Sequence, residues 1–283
     1  MNPLAKALAQ FWKSSIGKKI VVGVTGAMLV LFLLGHLAGN LLIFQGREDL
    51  NEYAEFLHEM LHGWGVWIAR IGLLAAFVLH IVATVALTRQ NRAARENRYE
   101  FEETNVASKS SRIMIWSGLT VLAFVVFHIL HFTVRIDPLL AGMVDPVKPE
   151  RHDVYGMMHA GFRGFNNLWV VLFYVVGITL LCSHLSHGIA SIFQTLGMRS
   201  EETRSTTHKL GLGISVLLWV GFLSIPVSIA VGLKVDETDP SSLSDLPPIE
   251  VDIEREVIQE NALPPDQLTP PNVPEPAPLP PNN

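Results

Sequence analysis

Histidine residues recur inside the most hydrophobic stretches of this 283-residue chain. His36 lies within Ile20–Gln45, a run of 26 residues without an Asp, Glu, Lys or Arg. Further histidines lie within three later apolar stretches, namely His80, His128, His131, His184 and His187. Ionisable side chains at such positions are functional candidates, and a neutral imidazole is a common metal ligand. The histidines are therefore candidate ligands of a metal cofactor.

Five stretches are apolar enough to position these side chains within a membrane. They are Ile20–Gln45, Gly63–Thr88, Ile113–Val134, Gly164–Met198 and Leu210–Leu233, and Arg70 is the only charged residue in any of them. Each reaches about the 20 residues that a helix needs to cross a hydrocarbon core. None shows the alternation of a membrane β-barrel. The sequence predicts an all-α membrane protein, a five-helix bundle over residues 20–233.

The basic residues outside these helices predict the orientation. Residues 1–19, 89–112 and 199–209 together hold 13 Lys and Arg, whereas the segments on the other side hold seven. The positive-inside rule then places the N-terminus in the cytoplasm and the C-terminus outside, in the inner membrane of a bacterium. Residues 234–283 are rich in proline and acids and are predicted to form a disordered outer tail. Cys182 is the only cysteine, which excludes disulfides, cysteine-ligated iron–sulfur clusters and c-type haem.

The alternating directions of the predicted helices place the histidines in two layers. The first and third helices contribute His36 and either His128 or His131 to an outer layer. The second and fourth contribute His80 and either His184 or His187 to an inner layer. From the helix rise, the layers lie roughly 13 Å apart. One histidine from each of two helices per layer matches bis-imidazole ligation of haem iron, so we expect two haem b groups. For any single histidine, a hydrogen bond to a neighbouring helix is the alternative.

Local sequence favours one outer ligand over another. Gly26 precedes His36 by ten residues, and Gly118 precedes His128 by the same number, each glycine following a hydroxyl residue. This shared spacing favours His128 as the partner of His36. His131 is the alternative ligand, or a contact to a haem propionate or a quinone. Arg70, about two turns into its helix, is predicted either to contact a propionate of the outer haem or to extend its side chain to the membrane surface.

Several segments carry a family resemblance. They are GHLAGNLLIF (35–44), LHIVAT (79–84), SGLTVLAFVVFHILHFT (117–133), DVYGMMHAGF (153–162) and LFYVVGITLLCSHLSHG (172–188). They resemble the membrane cytochrome b subunit of succinate dehydrogenases and fumarate reductases, in its single-chain, five-helix, two-haem form, over roughly residues 15–233. In that family a Phe-Tyr pair and a glycine lead to a ligand histidine eleven residues after the Phe, which here runs from Phe173 to His184 and leaves His187 as an additional histidine.

The resemblance implies a ligand set and a set of partners. His36 and His128 would hold the outer haem iron, and His80 and His184 the inner one. The chain would lack a dicarboxylate site and would work with a flavoprotein containing FAD and with an iron–sulfur subunit, as part of a succinate:quinone oxidoreductase of the respiratory chain and the tricarboxylic acid cycle. The expected quinone is menaquinone rather than ubiquinone. A dimer of the three-subunit complex is left open.

Two loops are candidate contact sites in this interpretation. Residues 44–65 predict a short interfacial helix with Phe56 and Met60 on one face, and Glu55 and Glu59 there are candidate proton donors to a quinone near the outer haem. The basic segment 88–98 is a candidate docking site for the iron–sulfur subunit.

Two other functions remain alternatives. One is the dihaem cytochrome b anchor of another quinone-linked dehydrogenase, of the hydrogenase or formate dehydrogenase type. The other is a proton-coupled transporter that uses the histidines as proton carriers.

Overall fold

The computed structural model describes residues 2–93, 114–164, 167–198 and 200–232, and within these ranges the chain is helical without an extended β-strand. The α-helices are α1 (Pro3–Lys13), α2 (Ser15–Asn40), α3 (Arg47–Glu59), α4 (Trp64–Ala93), α5 (Met114–His128), α6 (Pro138–Ala141), α7 (Val154–Phe162), α8 (Leu168–Thr195) and α9 (Arg204–Ala230). A 3-10 turn, Leu41–Phe44, continues α2, and a π-helix, Ile129–Val134, continues α5.

Five of these helical segments are long and apolar enough to cross a membrane. They are Ser15–Phe44, Trp64–Ala93, Trp116–Val134, Leu168–Thr195 and Arg204–Ala230. The predicted all-helical class and the five membrane-crossing helices are thereby confirmed for the described ranges, as expected for a multi-pass membrane protein. The first membrane helix, α2, begins five residues before the apolar run does. Its start is set by Ser14, whose hydroxyl oxygen accepts a hydrogen bond of 2.8 Å from the backbone N–H of Gly17.

Helix α8 lies at the centre of the bundle and packs against α2, α5 and α9, whereas α4 packs mainly against α2. Buried side chains of α8 such as Tyr174, Ile178 and Ile189 join Leu218 of α9 in the main hydrophobic core. Many large apolar side chains on the outer faces of the other helices are exposed, including Ile71, which is 66% exposed. Such surfaces suit contact with lipid rather than water.

Helices α5 and α8 approach closely at Gly177, where the ring of Phe124 occupies the space of a side chain. A Cβ atom at this position would overlap that ring, so the contact requires glycine. The aromatic ring of Phe124 in turn lies 5.4 Å from that of Tyr174, centre to centre. The glycine thus determines how near the aromatic side chains of α5 come to those of α8.

We expect Gly177→Ala to destabilise the protein by about 1–3 kcal/mol, because the added methyl group forces Phe124 out of its place. Unfolding by sodium dodecyl sulfate in mixed micelles would measure the change. Gly188→Ala is the matched control in the same helix, since no atom lies within 4 Å of a Cβ built there. The control should be neutral or slightly stabilising, because alanine is the better helix former. Equal effects of the two substitutions would contradict the close contact.

Shorter helices lie between the spans. A short helix, as predicted in residues 44–65, is present as α3, where Phe56 is 59% exposed and Met60 follows the last residue. Its location at a membrane interface stays a prediction. Its buried face is formed instead by Leu50 and Asn51, which face the loop and helix before α8. Residues 94–113, which include part of the basic segment 88–98, and the predicted tail lie outside the described residues. Their predicted roles stay predictions.

Candidate functional site

The outer pair of histidines is brought together by α2 and the end of α5. The ring centres of His36 and His128 are 5.9 Å apart, with their planes at 82°. Metal–imidazole bonds of about 2 Å put two imidazoles on one metal ion on the order of 6 Å apart, centre to centre. The pair therefore has the spacing of two ligands on one iron. His36 also stacks on Phe32, and its remaining neighbours are apolar or aromatic rings such as Phe222 of α9.

Tyr174 of α8 contacts both histidines of the third membrane helix. Its hydroxyl lies 3.2 Å from Nδ1 of His128 and 3.1 Å from Nδ1 of His131. His131 belongs to the π-helix and packs against Gly161 of α7, and π-helical turns are frequent at functional sites. The structure thus places His128, rather than His131, against His36, and His131 between Tyr174 and α7.

The inner histidine of α4, His80, is oriented by Thr25 of α2. Nδ1 of His80 lies 3.1 Å from the Thr25 hydroxyl oxygen, and that hydroxyl donates its own proton to the carbonyl of Val21 at 2.6 Å. A hydroxyl group has a single proton to donate, so its oxygen accepts from Nδ1–H of His80. The ring is thereby fixed in the tautomer whose Nε2 carries a free lone pair.

The inner histidine of α8, His184, has the same arrangement with Ser117 of α5. The Ser117 hydroxyl donates to the carbonyl of Met114 at 3.0 Å and lies 3.1 Å from Nδ1 of His184. Nδ1–H of His184 is again the donor, and Nε2 is again left free.

The glycines of the two hydroxyl-glycine pairs, Gly26 and Gly118, leave room for these rings. A Cβ atom at Gly26 would lie 3.3 Å from Cε1 of His80, and one at Gly118 would lie 3.7 Å from Cε1 of His184. The hydroxyl-glycine pairs were noted for their spacing to His36 and His128, yet they contact the histidines of the other layer. Because each pair lies about ten residues before an outer histidine on the same helix, the layers are about 15 Å apart along the axis.

The other predicted site residues lie elsewhere. His187 faces α9, where its ring centre is 6.4 Å from that of His208. Arg70 is exposed and its guanidinium lies 5.3 Å from the ring centre of Trp67, so its predicted contact with a propionate stays a prediction. Glu59 is exposed at the end of α3.

Sequence reasoning missed a buried polar network on the side where α3 and α7 lie. Asn51 of α3 is fully buried and donates to Asp145 at 2.7 Å and to Asp153 at 2.9 Å. Arg151, only 7% exposed, contacts Asp145, Glu48 and Glu55 through its guanidinium. These residues lie on two segments far apart in the chain, and no local spacing links them. The network joins α3 to the loop before α7.

The network is charged. Although burial opposes ionisation, hydrogen bonds from Asn51, from two backbone N–H groups and from Arg151 lower the pKa of Asp145 to about 2. The pKa of Arg151 is raised, because hydrogen bonds to its carboxylate partners outweigh its desolvation. Hydrogen bonds from Arg151 and Lys148 lower the pKa of Glu48. Glu55, one of the two predicted proton donors, belongs to this cluster through its contact with Arg151 at 3.1 Å.

His159 of α7 is the one buried side chain in the described part of the chain whose polar atom, Nε2, has no hydrogen-bond partner. Its ring stacks on Tyr155 at 4.5 Å. Burial, followed by the positive charges of Arg163 and Arg47, lowers its pKa, so the ring is neutral. Nothing in the sequence pattern distinguished it from the other histidines.

Across the described ranges, no group of three or more His, Cys, Asp or Glu side chains could hold a metal ion. A bis-imidazole haem requires two protein ligands per iron, and the bundle brings the rings of one such pair, His36 and His128, together. Comparison with known proteins adds nothing to this, since no protein-family model, curated protein or solved structure matches the chain.

Proposed function

We propose that this chain is the membrane anchor and electron-transfer subunit of a succinate:quinone oxidoreductase. It would hold two haems b, the outer one by His36 and His128 and the inner one by His80 and His184. Electrons would enter from an iron–sulfur subunit and leave to a quinone. The dicarboxylate would react on the flavoprotein subunit, and not on this chain.

The contacts of the inner histidines with Thr25 and Ser117 through Nδ1 are the observation that carries this proposal. Metal-bound histidines commonly donate their other ring N–H to an oxygen acceptor, which fixes the ring and raises its basicity. Thr25 and Ser117 do this for His80 and His184, and their own protons are already engaged with backbone carbonyls. With Nδ1 engaged in this way, Nε2 of each ring is the nitrogen that would bind iron.

Bound haem would supply one-electron redox chemistry in each layer. The residues of the chain position the ligand rings, exclude water with the aromatic side chains around His36, and keep the imidazoles neutral by burial among apolar groups. The two layers, about 15 Å apart along the helices, together cover about half of the thickness of a bilayer hydrocarbon core.

The outer end of the bundle is the proposed place of quinone chemistry. Of the two candidate carboxylates, Glu55 is held by Arg151 at 3.1 Å, whereas Glu59 is exposed and has no ion pair among the described residues. Glu59 is therefore better placed to exchange protons with water, and Glu55 to keep α3 in position. Arg70, exposed beside Trp67, lies on the helix that follows.

Purification from the native membrane tests the proposal. The purified complex should contain a succinate-oxidising flavoprotein and an iron–sulfur subunit, show the absorption spectrum of low-spin haem b, and reduce menaquinone analogues with succinate. A dihaem cytochrome that copurifies with a hydrogenase or formate dehydrogenase would establish the alternative anchor. Protein free of haem would refute both functions and favour the transporter.

A further prediction concerns the hydroxyl groups. Thr25→Val keeps the shape of the side chain but removes the acceptor of His80 Nδ1–H, and Ser117→Ala does the same for His184. Loss of such a partner costs about 10–100-fold in metal-site affinity, so we expect weaker binding of the inner haem with the outer haem retained. Titration of haem-depleted protein with haemin would measure this.

Thr120→Val is the matched control. Thr120 lies in α5, as Ser117 does, but its hydroxyl is exposed and bonds only to backbone carbonyls of α5. It should bind both haems as the parent protein does. Inner haem affinity that is unchanged in both Thr25→Val and Ser117→Ala would show that the hydroxyls do not orient ligands.

A further inference from the structure

The first helix of the chain, α1, has an apolar face that nothing in the described structure covers. None of its residues is buried, and its large apolar side chains are exposed by 65%, 59%, 42% and 36% for Leu4, Leu8, Phe11 and Trp12 respectively. At about 100° per residue these four side chains fall within an arc of about 100°. Exposure of such an apolar face to water is unfavourable for an isolated helix, so the face requires an apolar environment.

The opposite face of α1 is polar and positively charged. Lys6, Gln10 and Lys13 lie there, all exposed, and Lys19 at the start of the next helix is exposed as well. The chain contains no acidic residue before Glu48, and within the described ranges none of these lysines forms an ion pair. The helix therefore combines a Leu, Phe and Trp face with a lysine face.

The corner between α1 and the first membrane helix, α2, is held by specific contacts. Ser14 joins them in an extended conformation, with φ −72° and ψ 147°, which ends one helix and turns the chain. The Nζ atom of Lys18 in α2 donates to the carbonyl of Lys13 at 3.1 Å and to the side chain of Gln90 in α4 at 3.0 Å. Gly17 permits the approach, because a Cβ there would overlap the carbonyl of Phe11.

We propose that α1 is a membrane-surface helix that lies in the headgroup region of an anionic bilayer leaflet. Leu4, Leu8, Phe11 and Trp12 enter the acyl boundary, and Lys6 and Lys13 contact anionic headgroups. At 1.5 Å per residue the helix is about 16 Å long, too short to cross a bilayer. Its large apolar face with aromatic residues and its lysine-bearing polar face are the features of helices that lie in the interface.

The position of the corner supports lipid as the partner. Ser14 lies six residues before the uninterrupted apolar run that begins at Ile20, so α1 leaves the bundle at the level where the hydrocarbon core of α2 begins. Lysines near an anionic leaflet are attracted to it, which holds the apolar face in contact. This inference does not depend on the proposed electron-transfer function.

Spin labels on the full-length protein in phosphatidylglycerol vesicles test this inference. The variants Leu8→Cys and Gln10→Cys place a label on the apolar and polar faces, and the unsubstituted protein, whose only cysteine is the buried Cys182, is the control for background labelling. Power-saturation measurements compare collision with oxygen, which enriches in lipid, and with a water-soluble nickel chelate. We expect several-fold preference for oxygen at position 8 and for the nickel chelate at position 10.

Other outcomes would overturn the proposal in distinguishable ways. A label at position 8 that neither reagent reaches would show that a protein surface covers the face, and equal access of the chelate to both positions would show that α1 stands in water. The double variant Lys6→Gln/Lys13→Gln, labelled at position 8, should lose part of the oxygen preference in phosphatidylglycerol vesicles. An unchanged preference would refute the contact of the lysines with anionic headgroups.

Discussion

Replacement of His80 or His184 by alanine should remove the inner haem and leave the outer haem in place, and replacement of His36 or His128 should do the reverse. In the proposed sites each histidine would be one of two ligands of a haem iron, and an apolar bundle would offer no substitute at the same position. The measurement is haem per polypeptide together with the reduced-minus-oxidised spectrum, which should fall to half of the parent signal. This is the largest effect that we expect of any substitution in the chain.

His131→Ala is the matched control, because His131 lies three residues beyond His128 and contacts the same tyrosine hydroxyl. It should retain both haem signals. If His131→Ala lost the outer haem while His128→Ala retained it, the assignment of the ligand in the third membrane helix would be wrong.

Much of the bundle could be predicted because membrane helices are recognisable from their apolar composition. A run of residues without charge, such as Ile20–Gln45, has few alternatives to a helix in a bilayer, since every backbone polar group must be satisfied internally. The helix ends were less predictable. The helix begins at Ser15, before the apolar run, because the hydroxyl of Ser14 caps it and the charged Lys18 is accommodated by backbone carbonyls.

The residues of the candidate site could likewise be predicted only in part. Histidines within apolar stretches stand out, so His36, His80, His128 and His184 could be named from the sequence. The partners of these rings could not be assigned, because Thr25 and His80 lie 55 residues apart and meet only through the packing of α2 on α4. The same holds for Arg151 and Asn51, whose loop and helix are brought together by the tertiary fold.

Arg151→Met should destabilise the protein by about 3–5 kcal/mol, because it leaves the buried carboxylate of Asp145 without the cation that compensates it. Asp145 is 1% exposed and Arg151 is 7% exposed, so water cannot replace the lost partner. Unfolding by sodium dodecyl sulfate in mixed micelles gives the change in free energy. The detachment of α3 from the loop before α7 should appear as faster proteolysis in that region.

Lys148→Met provides the comparison, since Lys148 also pairs with Glu48, at 3.2 Å, but both of these side chains are about half exposed. An exposed pair contributes about 0–1 kcal/mol, so this variant should unfold almost as the parent protein does. Similar losses in the two variants would mean that the buried position of Arg151 has no special importance.

The hydroxyl of Tyr174 imposes a direction on the chain of hydrogen bonds through the outer site. It has one proton and two imidazole Nδ1 atoms within 3.2 Å, so it can donate to only one of the two rings. If His128 binds iron through Nε2, its Nδ1–H would donate to Tyr174, and the arrangement that uses every proton has Tyr174 donate to Nδ1 of His131. The N–H of His131 is thereby confined to Nε2, on the side of the ring away from the tyrosine. Metal coordination at His128 would thus decide, through Tyr174, which nitrogen of His131 carries its hydrogen-bond donor.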